Sequence, residues 1–204
     1  MQDLVEEIVP LGRRDIRLLR PRDSEALLDE HAFEAEEFLP YWAEMWPSSI
    51  ALARALAGRS LGGRRIVELG CGLGLPSIVA ALEGGRVLAT DWSAEAIAAT
   101  AHNAELNGTR LEGERVAWEA PQRLLEDAPW DLVLASDVLY EHRMADTLLD
   151  LLPKLVGPRG TVLVSDPGRP PAAPFLQAAR AFWDVRSTSD RAGPRVEVHR
   201  LRPR

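Results

Sequence analysis

Ile66-Val67-Glu68-Leu69-Gly70-Cys71-Gly72-Leu73-Gly74-Leu75-Pro76 is the stretch whose reading decides the fold. Its first four residues form a short apolar run suited to a buried strand. Glycines at alternate positions then permit positive φ and let a ligand approach the backbone without meeting a Cβ. A helix opens at Pro76, which lacks an N–H and suits a first helical turn, while the neighbouring unpaired N–H groups face the same point. The dinucleotide fingerprint G-x-G-x-x-G would need glycine at position 75, where Leu75 stands. A phosphate loop would need a Gly-Lys-Ser/Thr, which is absent. What stands here is Glu68-x-Gly70-x-Gly72-x-Gly74. A tight strand-to-helix turn that binds nothing is the alternative.

Outward from this turn the chain alternates strand and helix. Strands are predicted over 66–69, 87–90, 115–118, 131–136 and 161–165, with helices over 75–82, 93–106, 122–126 and 145–156 between and after them. The run Leu132-Val133-Leu134-Ala135 is apolar on both faces, as in a strand covered on both sides. After a helix over 175–182, segments 185–188 and 196–199 alternate apolar and polar residues, the pattern of an antiparallel hairpin. Upstream, residues 1–23 read as one or two extended pieces. A helix is expected to start at Asp23-Ser24, with Ala26, Leu27, Leu28 and Phe33 as its apolar positions. Pro47 breaks helix, and Ser48 or Ser49 can cap a helix over 50–57. The expected architecture is α/β: a Rossmann-like, doubly wound seven-stranded sheet ending in an antiparallel hairpin. One domain is expected over 1–204, with 1–60 as an extension and covering helices and 61–204 as the core.

Composition narrows the class. The chain has 204 residues, 46% hydrophobic and 27% charged, as in an ordinary globular domain. A formal charge of −7 argues against broad nucleic-acid binding, which leans on a basic face. Cys71 is the single cysteine, so no intrachain disulfide framework exists. The acidic start shows no secretory pattern, and no apolar run is long enough to span a bilayer. A soluble, cytoplasmic monomer is expected. His31, His102, His142 and His199 lack metal-ligand spacing, so no metal is expected.

In an open α/β sheet the ligand sits beyond the carboxyl ends of the strands. Asp91 stands there, about twenty residues after the glycine turn, where a carboxylate can accept both ribose hydroxyls; capping the next helix is its other reading. Trp118 follows the third strand, and Ser136, Asp137 and Tyr140 follow the fourth. Trp42, Trp46, Trp92 and Trp118 all fall beside this mouth and supply surface for a sulfonium or a cationic amine.

Together these residues resemble a known family. Glu68-x-Gly70-x-Gly72-x-Gly74 resembles motif I of the class I S-adenosylmethionine-dependent methyltransferases. Trp46, Trp118 and the Asp137-Val138-Leu139-Tyr140 match to D-x-x-Y resemble the lysine methyltransferase group within it. Asp166-Pro167-Gly168-Arg169-Pro170 resembles the same loop of the electron transfer flavoprotein β-subunit lysine methyltransferases, a branch with glycines where this chain has Ser48-Ser49. The resemblance implies a cofactor set of Trp46, Glu68, Gly70, Cys71, Gly72, Gly74, Asp91, Trp92, Trp118 and Ser136. It implies Asp137 and Tyr140 as catalytic residues and a protein lysine as acceptor, with the flavoprotein β subunit as candidate partner. Trp42 and Arg169 are assigned to the substrate, Arg169 offering its planar fork to a carboxylate near the target lysine or to a backbone carbonyl; pairing with a surface carboxylate of its own chain is its other reading. Methylation of a small amine is the enzymatic alternative. A cofactor-binding protein acting by interaction alone is the alternative from another class.

Overall fold

Short apolar runs become buried parallel strands, and they build the sheet that positions the site. In the computed structural model, residues 3–24 and 40–204 are described. The strands are β1 (Leu4–Pro10), β2 (Asp15–Pro21), β3 (Arg65–Leu69), β4 (Arg86–Asp91), β5 (Glu112–Arg115), β6 (Trp130–Ser136), β7 (Val156–Asp166), β8 (Trp183–Asp190) and β9 (Val196–Pro203). The helices are α1 (Pro47–Leu56), α2 (Leu75–Leu82), α3 (Ala94–Leu106), α4 (Gln122–Glu126), α5 (His142–Leu155) and α6 (Ala172–Ala179). Seven strands form one sheet in the order β5-β4-β3-β6-β7-β9-β8. β3 to β7 run parallel, whereas β9 is antiparallel to both β7 and β8. The order turns back between β3 and β6, which is the switch point where such sheets open a crevice.

Alternation along the strands separates two apolar layers. Val67, Val133 and Val164 face α5 and α6, where Leu148, Leu152 and Phe175 are buried. Ile66, Leu134 and Leu163 face α1 and α2 through Leu52, Leu56 and Ile78. Truncating a fully buried leucine such as Leu134 to alanine should cost about 2–5 kcal/mol. Pro153 lies in the last turn of α5, where its missing N–H helps end the helix before β7.

The N-terminal extended pieces pair as the hairpin β1–β2. Asn103 on α3 and Asn107, the cap at its C-terminal end, hold it. Asn103 accepts from Leu19 N (2.8 Å) and donates to Leu19 O (3.2 Å), while Asn107 accepts from Arg17 N (3.0 Å) and donates to Arg17 O (2.6 Å). Each side-chain amide thus stands in for a neighbouring strand. Asn103 also donates to Leu73 O (3.1 Å), tying the hairpin to the glycine turn.

Several boundaries differ from expectation. The strand placed at 115–118 lies at Glu112–Arg115, so Trp118 is in a loop. It is an exposed edge strand held by backbone pairing with β4, and such a strand carries no apolar alternation to read. α1 begins at Pro47, with Trp46 as N-cap; neither Ser48 nor Ser49 caps it. Proline at the first position makes that start unaided. α5 begins earlier than expected and β7 is longer at both ends, while α6 lies three residues earlier. The helix expected from Asp23-Ser24 lies outside the described residues beyond Ser24.

Candidate active site

The glycine turn is tied to β4 before anything is bound. Gly70 N and Cys71 N both donate to Thr90 O at 2.9 Å, and Gly74 N donates to Cys71 O at 2.8 Å. Gly70, Gly72 and Gly74 have φ of 72°, 53° and 83°. Space around all three is also tight, most of all at Gly74. A Cβ on Gly72 would lie 3.2 Å from Trp42 O, and one on Gly74 would lie 2.6 Å from the Thr100 side chain. The turn is therefore bare both to twist and to let the Tyr41–Ala43 segment lie over it.

Beyond it opens a cleft of about 280 Å³ at the carboxyl ends of β3, β4 and β6. That is near the lower end of small-molecule sites, about 300–1,000 Å³. Of the expected cofactor set, Trp46, Gly70, Cys71, Gly72, Gly74, Asp91, Trp92, Trp118 and Ser136 line it, with Trp42, Asp137 and Tyr140. Tyr41, Glu44, Arg143 and Met144 also line it and were missed in the sequence. Tyr41 was adjacent to the tryptophan cluster, and Arg143 and Met144 follow Tyr140 in the first turn of α5.

Asp91 joins the two halves of the pocket floor. Its Oδ2 accepts from Gly72 N (3.0 Å) and its Oδ1 from Ser93 N (3.0 Å). It does not cap α3; Ser93 does, accepting from Ala96 N. Burial pushes the Asp91 carboxyl above its ordinary range, against the backbone donors of Ser93, Gly72 and Trp92. Cys71 is buried, and burial followed by the nearby Asp91 and Glu68 carboxyls pushes its thiol well up, so it is a packing residue without nucleophilic character.

Two assignments need correction. Glu68 does not line the cleft; it is fully buried beneath the turn. Its Oε2 accepts from Ser77 N (2.9 Å) and Ser77 Oγ (2.5 Å), pinning the start of α2, while Oε1 has no partner. A residue two before the first glycine points into the layer under α2, away from the ligand side. Burial pushes its carboxyl up to about 8. Arg169 is not in the lining either. It turns to Asp137, donating from Nε to Oδ1 at 2.5 Å, with its guanidinium carbon 5.5 Å from the Trp46 ring centre.

Asp137 is the one described residue other than glycine with positive φ (58°). Asp tolerates this region better than most side chains, and strained residues of this kind cluster at functional sites. Its N–H donates to Ser165 O (3.0 Å), locking the end of β6 to that of β7. Tyr140 is half-buried, 5.8 Å from Tyr41 between ring centres, and Tyr41 meets Trp46 edge-on at 6.0 Å. Trp46 Nε1 donates to Tyr41 O (2.8 Å). Burial, then the Glu141 and Asp91 carboxylates, pushes the Tyr140 phenol up to about 12, so it stays protonated at neutral pH.

This cleft invites comparison with proteins of known kind. The model of a family described as lysine methyltransferase matches residues 35–178. The chain belongs to the lysine methyltransferase family. Within it, the chain is 38% identical over 141 residues to the electron transfer flavoprotein β subunit lysine methyltransferase of Danio rerio, covering 64% of this chain and 51% of that one. It is 31% identical over 127 residues to the EEF1A lysine methyltransferase 3 of Mus musculus, covering 60% and 54%. The chain thus spans about half the length of these curated relatives. Among solved structures, the ribosomal protein L11 methylase of Lactobacillus delbrueckii subsp. bulgaricus superposes with a TM-score of 0.63 at 21% identity, over 97% of this chain and 98% of that one. The family member described here therefore shares that fold.

Proposed function

We propose that this chain is an S-adenosylmethionine-dependent N-methyltransferase that methylates lysine side chains of a protein. The observation that carries this reading is one cleft holding the bare glycine turn, Asp91, and the Asp137–Tyr140 pair under an aromatic wall. These residues fit the cofactor. Asp91 meets the backbone donors of Gly72, Ser93 and Trp92, and a carboxylate with about four acceptor sites keeps capacity for a ribose hydroxyl. Val116 and Trp118 offer flat apolar surface for a base, and Trp46 offers a π face for positive charge. Bound S-adenosylmethionine supplies an electrophilic methyl group on a sulfonium.

The chain's own residues prepare the acceptor. A lysine ammonium begins near pKa 10.4 and must give up its proton to water before it attacks the methyl carbon. Aromatic walls at Tyr41, Trp46 and Tyr140 strip water from it and so favour the neutral amine. Asp137 accepts a hydrogen bond from the amine and holds its lone pair in line. Tyr140, protonated at neutral pH, serves as wall and hydrogen-bonding hydroxyl, without acting as base. Positioning supplies most of the acceleration, of the order of 7–11 kcal/mol for well-oriented partners.

The names of three relatives 36–38% identical to this chain favour the electron transfer flavoprotein β subunit as substrate. The test is incubation with tritiated cofactor and that subunit, beside a soluble cell extract, followed by mass spectrometry of labelled bands. Lys154 is the chain's single lysine, so self-labelling can fall on one lysine only. Label on a lysine of the added subunit supports the reading. Cofactor binding with no labelled protein, and label only on small amines, would sink it.

A further inference from the structure

The loop after β7 holds the catalytic carboxylate from behind. Asp166 Oδ1 accepts from Gly168 N (2.7 Å) and Arg169 N (2.8 Å), folding the loop back through Gly168 at φ 94°. Arg169 O in turn accepts from Ala172 N (3.0 Å) at the start of α6. The Arg169 backbone is therefore fixed at both ends. Its side chain, 30% exposed, leaves this anchor to meet Asp137, whose side chain is 4% exposed. Asp137 lines the cleft and Arg169 does not, so the guanidinium takes Oδ1 from outside the lining. That bond falls on Oδ1 and does not engage Oδ2. The same guanidinium lies against the Trp46 ring, the N-cap residue of α1.

We infer that Arg169 is a positioning residue for methyl transfer: its anchored guanidinium fixes the Asp137 carboxylate, leaving Oδ2 for the incoming amine, and braces Trp46 as the adjoining wall. The inference rests on the lysine methyltransferase reading. Arginine suits the task because its planar fork orients a carboxylate and stacks on an indole at once, whereas lysine is a point charge on a flexible stem. The requirement is steric as well as electrostatic. Asp137 sits in a sparsely populated backbone conformation, and a second tether keeps its side chain from relaxing.

Two kinds of measurement test this. The first needs no activity: thermal unfolding of Arg169→Ala, Asp137→Asn and the double variant. If the pair exists, the double variant melts no lower than the worse single variant; fully additive losses would overturn the pairing. The second uses steady-state methylation of electron transfer flavoprotein β subunit, with S-adenosylhomocysteine binding by calorimetry as control. Arg169→Ala should lower kcat at least about tenfold, with KM for the subunit and product-cofactor affinity changed less than about twofold. Guanidinium chloride at tens of millimolar should restore part of the lost kcat, and Arg169→Lys should be intermediate. A raised KM with kcat kept would make Arg169 a substrate contact, and a raised kcat/KM would make it a shield over Asp137; either overturns the inference. Coupled melting with a wild-type protein that methylates nothing would overturn the functional reading and the catalytic role with it, leaving a structural pair.

Discussion

Replacing Glu68 with glutamine should stabilise this protein, and increasingly so as pH rises. Glu68 has no exposed surface, accepts twice from Ser77 through Oε2, and leaves Oε1 without a partner. Burial lifts its carboxyl from 4.5 to about 8, with Asp91 adding to the shift and the Ser77 donors opposing it. The folded pKa is raised, so the folded state binds the proton more tightly than the unfolded chain. Stability from this group is full below the unfolded value and is lost as pH climbs through the folded one. A shift of that size corresponds to about 4 kcal/mol lost between pH 5 and pH 9, at 1.36 kcal/mol per unit. Glutamine keeps the shape and an acceptor for Ser77 but carries no charge. Urea unfolding of both proteins at pH 5, 7 and 9 isolates the group, because every other titration is shared. The variant should match wild type near pH 5 and lead by about 4 kcal/mol at pH 9, or about 8–16 °C in Tm for a chain of this size. A difference that stays flat, or wild type gaining on the variant as pH rises, would refute the buried-proton argument.

Asp91→Ala should weaken S-adenosylhomocysteine binding by about 1.5–3 kcal/mol, the range for hydrogen bonds to a charged group; unchanged affinity in calorimetry would remove Asp91 from the site. Asp137→Asn should fold normally yet lose at least about tenfold in turnover, or 1.4 kcal/mol, and full activity would make the residue structural. Gly74→Ala should destabilise by at least about 1–2 kcal/mol from its left-handed backbone alone, with the clash against Thr100 adding to it; an unshifted denaturation midpoint would mean the turn relaxes freely. Cys71 should react with a thiol reagent far more slowly in the folded protein than in urea, since its thiol is buried and pushed up; equal rates would contradict its packing.

What the sequence by itself determined is local. Apolar runs of strand length, glycines at alternate positions and proline at helix starts each act on their own backbone, so the order of βα units and the terminal hairpin were legible. The Gly70–Gly74 turn was legible for the same reason, because positive φ is a property of single residues. Asp91, Asp137 and Tyr140 followed from the rule that strand ends face the crevice. β5 was misplaced because an exposed edge strand is held by backbone pairing, which leaves no side-chain pattern.

Which side chains meet was decided only in three dimensions. Arg169 and Asp137 are 32 residues apart, and their pairing exists because β6 and β7 are neighbours in the sheet. Asn103 and Asn107 reach β2 across 84 and 90 residues, since the hairpin docks on α3. Glu68 belongs to the turn motif by spacing, yet strand alternation turns it away from the cleft and under α2. A charged side chain takes whichever donor the topology brings within reach, and burial then sets its proton affinity; neither is written in the residues beside it.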